Sequence, residues 1–389
     1  MTAVLSLLLG YIGGFFIAYP LIFISIANAA ARIVRRKSLW LPGDWASRSF
    51  ILAFALLLIA FALTGDLVHI WNFVMLALFA PLSAMLAEYS DNRNALRVTT
   101  LANIGCFIAF PIALYQVYVM AMPRAVAFGS DEIWSAQAGI ILGFLAILGY
   151  AASDRWGKLP FIVGPVLMVV VAFLSGSRGP ILAIPVLLIV FLAANTRHWV
   201  ASLAAVAVLA TIALLLLTWL RPSALERLET IQTMIRDLIT TGQIGEGSGG
   251  QRQLMYQAGI EAFSHQPWFG YGWDQRMPAI EPYLPEGSKF LAKVHHHLHS
   301  DTLDFAVSGG ILGIISYFLI LISPILGAIS SPRDGQYRFR IFACAGLGIG
   351  YFVFGISYLT FGYEYHTTLY IVLTALIVGA CRDKKLDTR

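Results

Sequence analysis

Charge is what this chain has least of. Only 12% of its 389 residues are Asp, Glu, Lys or Arg, against 58% hydrophobic. So few charges cannot solvate the surface of a water-soluble globular protein of this length, so that class is excluded. Cysteine is scarce too. Cys106, Cys344 and Cys381 fall inside or at the end of apolar runs, away from the long polar stretch, so no disulfide framework is expected. Segments of about ten residues with alternating polarity do not recur, which excludes a transmembrane β-barrel. A G-x-x-x-x-G-K-[ST] loop is missing, and with it a nucleotide-driven step of that type. No Asp-x-Asp pair offers a divalent-metal nucleotide-sugar site. Few ionisable residues interrupt the apolar runs, which argues against a proton-coupled carrier. The chain has no internal repeat and no low-complexity tract.

What is there is a succession of apolar runs, most near the ~20 residues that cross a bilayer core as a helix. Eleven can be drawn, at 3–29, 46–64, 67–87, 98–121, 135–151, 159–175, 180–195, 199–219, 303–329, 340–358 and 366–380. The 34 glycines suit close helix packing in lipid. The first run lacks a basic leader and is longer than a signal core, so it reads as a retained span. The expectation is an all-α polytopic membrane protein of 11–12 transmembrane helices. It divides into N-terminal spans (1–219), one large external loop containing helices (220–302) and C-terminal spans with a short tail (303–389).

The net charge of +5 reports topology rather than a nucleic-acid partner. Arg32, Arg35, Arg36, Lys37 and Arg48 crowd the first connection, and Arg93, Arg97, Arg155, Lys158, Arg197, Arg333, Arg338 and Arg340 the later odd ones. The tail carries Arg382, Lys384, Lys385 and Arg389, while the even short connections hold only Arg124 and Arg178. By the positive-inside bias the odd connections and the tail are cytoplasmic, and 220–302 and Arg178 face the other side. Eleven spans place the N-terminus outside; a twelfth would move it inside.

Within the loop, Leu225, Leu228, Ile231, Ile235 and Leu238 give Ser223–Ile239 the spacing of an amphipathic helix. A glycine-rich stretch, 242–250, breaks it. Ser248 and Gln251 then have capping-box spacing for a second helix. An aromatic turn, His265 to Trp273, follows. Its rings could stack on sugars or form an interfacial belt, and the belt is the simpler reading.

Three places carry polar chemistry against this background. Ser175-Gly-Ser-Arg-Gly-Pro180 lies between two spans; Arg178 there could meet a phosphate or simply anchor at headgroups. Arg252 sits early in the second loop helix, where a cation opposes the helix dipole unless an anion is bound nearby; a salt bridge to Glu246 is the plainer alternative. His295-His-His-Leu-His299 could ligate metal, sense pH or supply one general base. His299, at the mouth of the next span, is the best placed as a base, with Asp301 or Asp304 to orient it.

Taken together, these motifs resemble the O-antigen ligase and polymerase superfamily. Ser177-Arg178-Gly179 is similar to its serine-arginine-glycine turn. Arg252, Tyr256, Phe263, Pro267, Phe269, Gly270 and Gly272 resemble its R…Y…F…P-x-F-G-x-G stretch. His299 to Asp301, Leu303, Gly310 and Gly313 resemble its H-N-x-x-L…G-x-x-G segment, with Ser300 in place of asparagine. The resemblance implies a multi-pass bacterial inner-membrane enzyme whose site faces the periplasm. It implies an inverting, metal-independent glycosyltransferase with no cofactor, moving polysaccharide from undecaprenyl diphosphate to a lipid A–core hydroxyl. Its partners are then that donor, that acceptor and membrane lipids, with no nucleic acid. His299 would be the base and Arg178 and Arg252 the diphosphate ligands, with Ser177, Gly179, His297 and Asp301 supporting. A polymerase or a protein O-oligosaccharyltransferase of the same superfamily uses the same donor. A lipid-linked oligosaccharide transporter fits less well, because it predicts charged residues within the spans.

Overall fold

The computed structural model describes residues 15–127, 131–151, 158–195 and 248–383, with single helical positions between 200 and 240. The start of the first expected span, most of the span at 199–219, most of the amphipathic helix at 223–239 and the tail beyond 383 lie outside the described residues. Among the described residues there is no strand. Five helices are long and apolar enough to cross a membrane: Trp45–Thr64, Leu67–Glu88, Asn94–Val119, Asp301–Ser330 and Tyr337–Ser357. Shorter apolar helices stand beside them, among them Glu132–Leu148, Pro160–Leu174 and Arg178–Ala194. The protein is thus an all-α polytopic membrane protein.

Helix boundaries follow local chemistry more than hydropathy. The first described helix, α1 (Phe15–Val34), runs past the expected limit at residue 29. It can do so because Arg32 is neutralised inside the protein: its guanidinium meets Glu88 at 2.8 Å and donates to the Ser38 carbonyl at 2.7 Å. Helix α2 (Trp45–Thr64) opens on Asp44, whose carboxylate accepts the Ala46 N–H, and closes on Gly65 in the left-handed conformation. The following helices are α3 (Val74–Glu88), α4 (Asn94–Leu114) and α5 (Glu132–Leu148). Asp131 caps α5, accepting the Ile133 and Trp134 N–H groups, so this helix begins three residues before the apolar run suggests. Next come α6 (Pro160–Leu174), the short α7 (Arg178–Ile181) and α8 (Ala183–Ala194).

The loop supplies α9 (Ser248–His265), α10 (Arg276–Ile280) and α11 (Leu291–Val294). The chain then re-enters the bundle as α12 (Asp301–Ser330), α13 (Tyr337–Ser357) and α14 (Glu364–Ala375). Two packed groups form the bundle: α2 lies along α12 and α3, while α4, α5 and α6 pack together and reach α13. One large apolar core joins them. The loop keeps a smaller core of its own: Met255, Ala258, Ala262, Met277, Ile280, Leu284, Leu291 and Leu298, closed underneath by Val307 of α12. The described part of the loop, from 248 onward, is therefore a cap seated on the start of α12.

The seat is a break in α12. Gly310 has φ 60° and ψ −147°, outside the helical region, so the span is two segments meeting there. The freed backbone groups are taken up by the aromatic turn. Tyr271 and Gly272 donate N–H bonds to the Val307 and Ser308 carbonyls at 2.8 and 2.9 Å, and Ile311 donates to the Pro267 carbonyl at 2.7 Å. Two backbones approach this closely only without side chains between them: a Cβ at Gly310 would lie 2.4 Å from Trp268 backbone, and one at Gly270 2.5 Å from Val307 and Ser308 backbone. Non-helical backbone near the membrane is tolerated where protein re-pairs it.

Candidate functional site

The site forms where the cap, the start of α12 and the segment after α13 meet. Helix α9 contributes Arg252, Tyr256 and Gly259, which share one face at i, i+4 and i+7. Gly259 lies against Leu298, so this face is turned toward the histidine run. Tyr256 fixes the contact: its hydroxyl is 2.8 Å from the His299 carbonyl and 3.2 Å from the Ile356 carbonyl at the end of α13. Burial pushes the Tyr256 hydroxyl up to about 12, so it stays a donor.

A buried ion pair shapes the histidine loop. Asp304 accepts the Leu298 N–H at 3.0 Å and meets the Arg276 guanidinium at 3.1 Å. Arg276 also donates to the carbonyls of His296 (3.1 Å) and Trp273 (2.9 Å), with its guanidinium over the Trp273 ring. The loop is thereby held tightly enough that His299 adopts a left-handed backbone, φ 58°, which non-glycine residues rarely take. Ser300, in the asparagine position of the resembled motif, caps α12 in extended conformation without a side-chain capping bond.

Asp301 does something other than orient His299. Its carboxylate accepts the Thr360 N–H at 2.8 Å, the Thr360 hydroxyl and the Phe361 N–H. Neither Asp301 nor Asp304 is bonded to the His299 ring among the described residues; both instead shape backbone, a role that spacing alone could not distinguish from orienting an imidazole. The pinned segment brings in Tyr358, whose ring lies 5.4 Å from that of His299 and 4.9 Å from that of His297. Its hydroxyl is 3.5 Å from Asp131, the cap of α5.

The imidazoles form a connected set. Nε2 of His299 is 3.2 Å from Nδ1 of His295, and the His299 N–H donates to Nδ1 of His297 at 3.1 Å. Nδ1 of His299 is buried without a partner among the described residues. Burial, then the Arg252 charge and His295, push His299 down to about 3, so it is neutral at neutral pH. His297 is held well below the ordinary histidine value by burial and neighbouring charges, His299 first, and His295 is lowered by burial and Arg252. Among the described residues, no group of three or more histidine, cysteine or carboxylate side chains could hold a metal ion.

Arg178 reaches this neighbourhood from the other side. Gly176 turns the chain with φ 70°, and Ser177 precedes the short α7, whose first residue is Arg178. The expected turn is thus partly helical, and Arg178 lies inside α7. Gly179 packs onto Ser357, leaving no room for a Cβ, next to the Ile356 carbonyl that faces Tyr256. Ser177 is buried, whereas Arg178 is exposed. Neither Arg178 nor the half-buried Arg252 has an ion-pair partner among the described residues; Glu246, the alternative partner of Arg252, lies outside them. Arg32, Arg97, Arg124, Arg276 and Arg340 each have one.

Three residues in this construction carry no local sequence signal of a role here. Arg276, Tyr358 and Thr360 matter through partners distant in sequence.

A polytopic helical membrane protein is thereby defined, its cap carrying Arg252 and a neutral His299, with Arg178 outside the cap and neither arginine ion-paired among the described residues. Residues 163–318 match the family model described as O-antigen ligase, so this stretch carries a domain of that family. It contains Arg178, Arg252 and His299, and ends within α12. No curated protein matches the chain.

Proposed function

We propose that this protein is an O-antigen ligase: an inverting, metal-independent glycosyltransferase that moves polysaccharide from undecaprenyl diphosphate to a lipid A–core hydroxyl at the periplasmic face of the inner membrane. The observation that carries the reading is a neutral His299 with Arg252 close enough to lower its basicity, while Arg252 has no acidic partner among the described residues. A guanidinium with no acidic partner among the described residues, beside a general-base candidate, suits a substrate that brings its own negative charge.

The chemistry follows from that pairing. The acceptor oxygen forms a bond to the anomeric carbon as the bond from that carbon to the diphosphate oxygen breaks. The electron pair leaves on the diphosphate, which Arg178 and Arg252 stabilise with bidentate contacts. The acceptor proton passes to His299. Donor binding also adjusts the base: a diphosphate on Arg252 offsets the positive charge that depresses His299, so the imidazole becomes more basic once donor is present. The packed rings of His297 and Tyr358 open to admit the acceptor.

A deletion strain tests the reading. Loss of all polymer from lipid A–core, with lipid-linked polymer accumulating, is the ligase outcome. A single repeat unit still attached indicates a polymerase instead, and unchanged lipopolysaccharide with an altered glycoprotein indicates transfer to protein. Purified enzyme with lipid-linked polysaccharide and lipid A–core must then form the product, and absence of transfer refutes the assignment.

A further inference from the structure

We infer that His295 is a positioning residue that fixes the tautomer of His299 and makes Nδ1, not Nε2, the nitrogen that takes the acceptor proton. This rests on the reading of His299 as general base. A neutral imidazole has one N–H and one lone pair. Nε2 of His299 is already committed, 3.2 Å from Nδ1 of His295, while Nδ1 of His299 has no partner among the described residues. Two arrangements satisfy the contact. If His295 donates, the only lone pair of His299 is occupied and its remaining N–H is buried without an acceptor, so it cannot act as a base. If His299 donates from Nε2, the lone pair on Nδ1 is free. Only the second arrangement gives a base.

The geometry is compatible with the second arrangement. The backbone N–H of His299 is spent on Nδ1 of His297, so that ring cannot donate from the same nitrogen and does not compete for the role. The left-handed backbone at His299 and the Tyr256 bond to its carbonyl set the angle at which the ring leaves the chain. His295 lies at the end of α11 in extended conformation, its ring 5.0 Å from that of His299 and nearly perpendicular to it. It therefore meets the edge of the His299 ring, as the contact requires. As the proton arrives at Nδ1, positive charge spreads over the His299 ring, and the bond from Nε2–H to His295 strengthens. An uncharged acceptor in this role is weaker than a carboxylate, and suits a site that already holds the charge of Arg252.

The test uses the full-length protein in nanodiscs, labelled with ¹⁵N-histidine, and four variants: His299→Ala, His295→Ala, His295→Leu and His295→Asn. The asparagine side chain can place its carbonyl oxygen where Nδ1 of His295 stands, whereas alanine and leucine cannot accept. His295→Ala and His295→Leu should lower kcat by about tenfold to a hundredfold with KM little changed, and His295→Asn should recover most of the rate. The nitrogen spectrum of the wild type should show His299, assigned by its loss in His299→Ala, protonated at Nε2 and bare at Nδ1. A spectrum with the proton on Nδ1 overturns the inference even if every variant folds poorly. So does a fully active His295→Leu alongside a dead His299→Ala, which leaves the reading of His299 intact. An active His299→Ala defeats that reading itself.

Discussion

Removing the Arg276 side chain should loosen the histidine loop and cost activity, although this residue is assigned no part in the chemistry. Arg276→Met keeps the length and loses the charge. In the native protein both partners are out of water, with relative side-chain exposures of 5% for Arg276 and 0% for Asp304. The substitution strands the Asp304 carboxylate, whose second oxygen already has no partner, and frees the carbonyls of His296 and Trp273. Breaking a buried pair from one side costs about 3–5 kcal/mol, because a charge is left uncompensated. Neutralising both sides, Arg276→Met with Asp304→Asn, should return much of that loss while still supporting the Leu298 N–H through the amide oxygen. The expectation is therefore an ordering: wild type most stable, the double variant next, Arg276→Met least. Thermal unfolding in detergent and proteolysis of the loop between His295 and Ser300 read it, with transfer activity measured on the same samples. If the single variant is as stable as the double, the buried charge is not what holds this loop, and the account of how His299 is placed fails.

Arg178→Ala and Arg252→Ala should each abolish transfer with normal expression, and lysine should rescue poorly because a point charge cannot reproduce a planar fork; a fully active alanine variant removes that residue from the site. His299→Ala should lose transfer yet still bind donor, His296→Ala and His297→Ala should be milder, and chelators should leave purified enzyme unaffected; chelator-sensitive activity with a stoichiometric metal would overturn the base assignment. Because His299 is held near 3 in the free protein, kcat/KM should keep its acid limb below the ordinary histidine value of 6.5, with the limb of kcat at higher pH once donor offsets Arg252. The same depression sets a stability slope: below 6.5 the unfolded chain binds protons that the folded histidines refuse, so the unfolding temperature should fall as pH drops from there toward about 3. Cysteines introduced at Gly247 and Thr388 report topology, and labelling of Thr388 but not Gly247 by an impermeant reagent in spheroplasts contradicts a periplasmic cap.

The sequence made the spans legible because bilayer crossing depends on local apolar length, which a window of residues contains. It made the glycines of the aromatic turn and of α12 visible as motif positions, but not as a pair. Hydropathy reads 303–329 as one continuous helix, since Gly310 sits among residues as apolar as their neighbours; the break exists because Pro267 and Trp268 backbone docks there from more than forty positions earlier. The same limit applies at the site. Asp301 and Asp304 stand near His299 in sequence, and proximity suggested that one of them orients its ring. Their partners, however, come from segments distant in sequence: Asp301 is taken by Thr360 and Asp304 by Arg276.

The Asp301 bond to Thr360 shows why the site needs the second half of the bundle. The matched stretch, 163–318, holds Arg178, Arg252 and His299, yet stops before the segment from Ile356 to Phe361. Tyr256 bridges to Ile356, Gly179 seats on Ser357, Tyr358 packs on two histidines, and Asp301 ties down Thr360. Arg178 and His299 are therefore brought into one neighbourhood by a segment that belongs to neither motif. If that segment is what assembles the site, Thr360→Val should act like a site mutation. It removes the hydroxyl from buried Asp301 but keeps the backbone N–H bond, a loss of about 1–3 kcal/mol for leaving one buried carboxyl oxygen without its partner. Helix content and membrane insertion should be unchanged, and transfer should fall. Restoring the hydroxyl with Thr360→Ser should restore transfer. A Thr360→Val protein with wild-type activity would show that Arg178 and His299 are held in register by the cap alone.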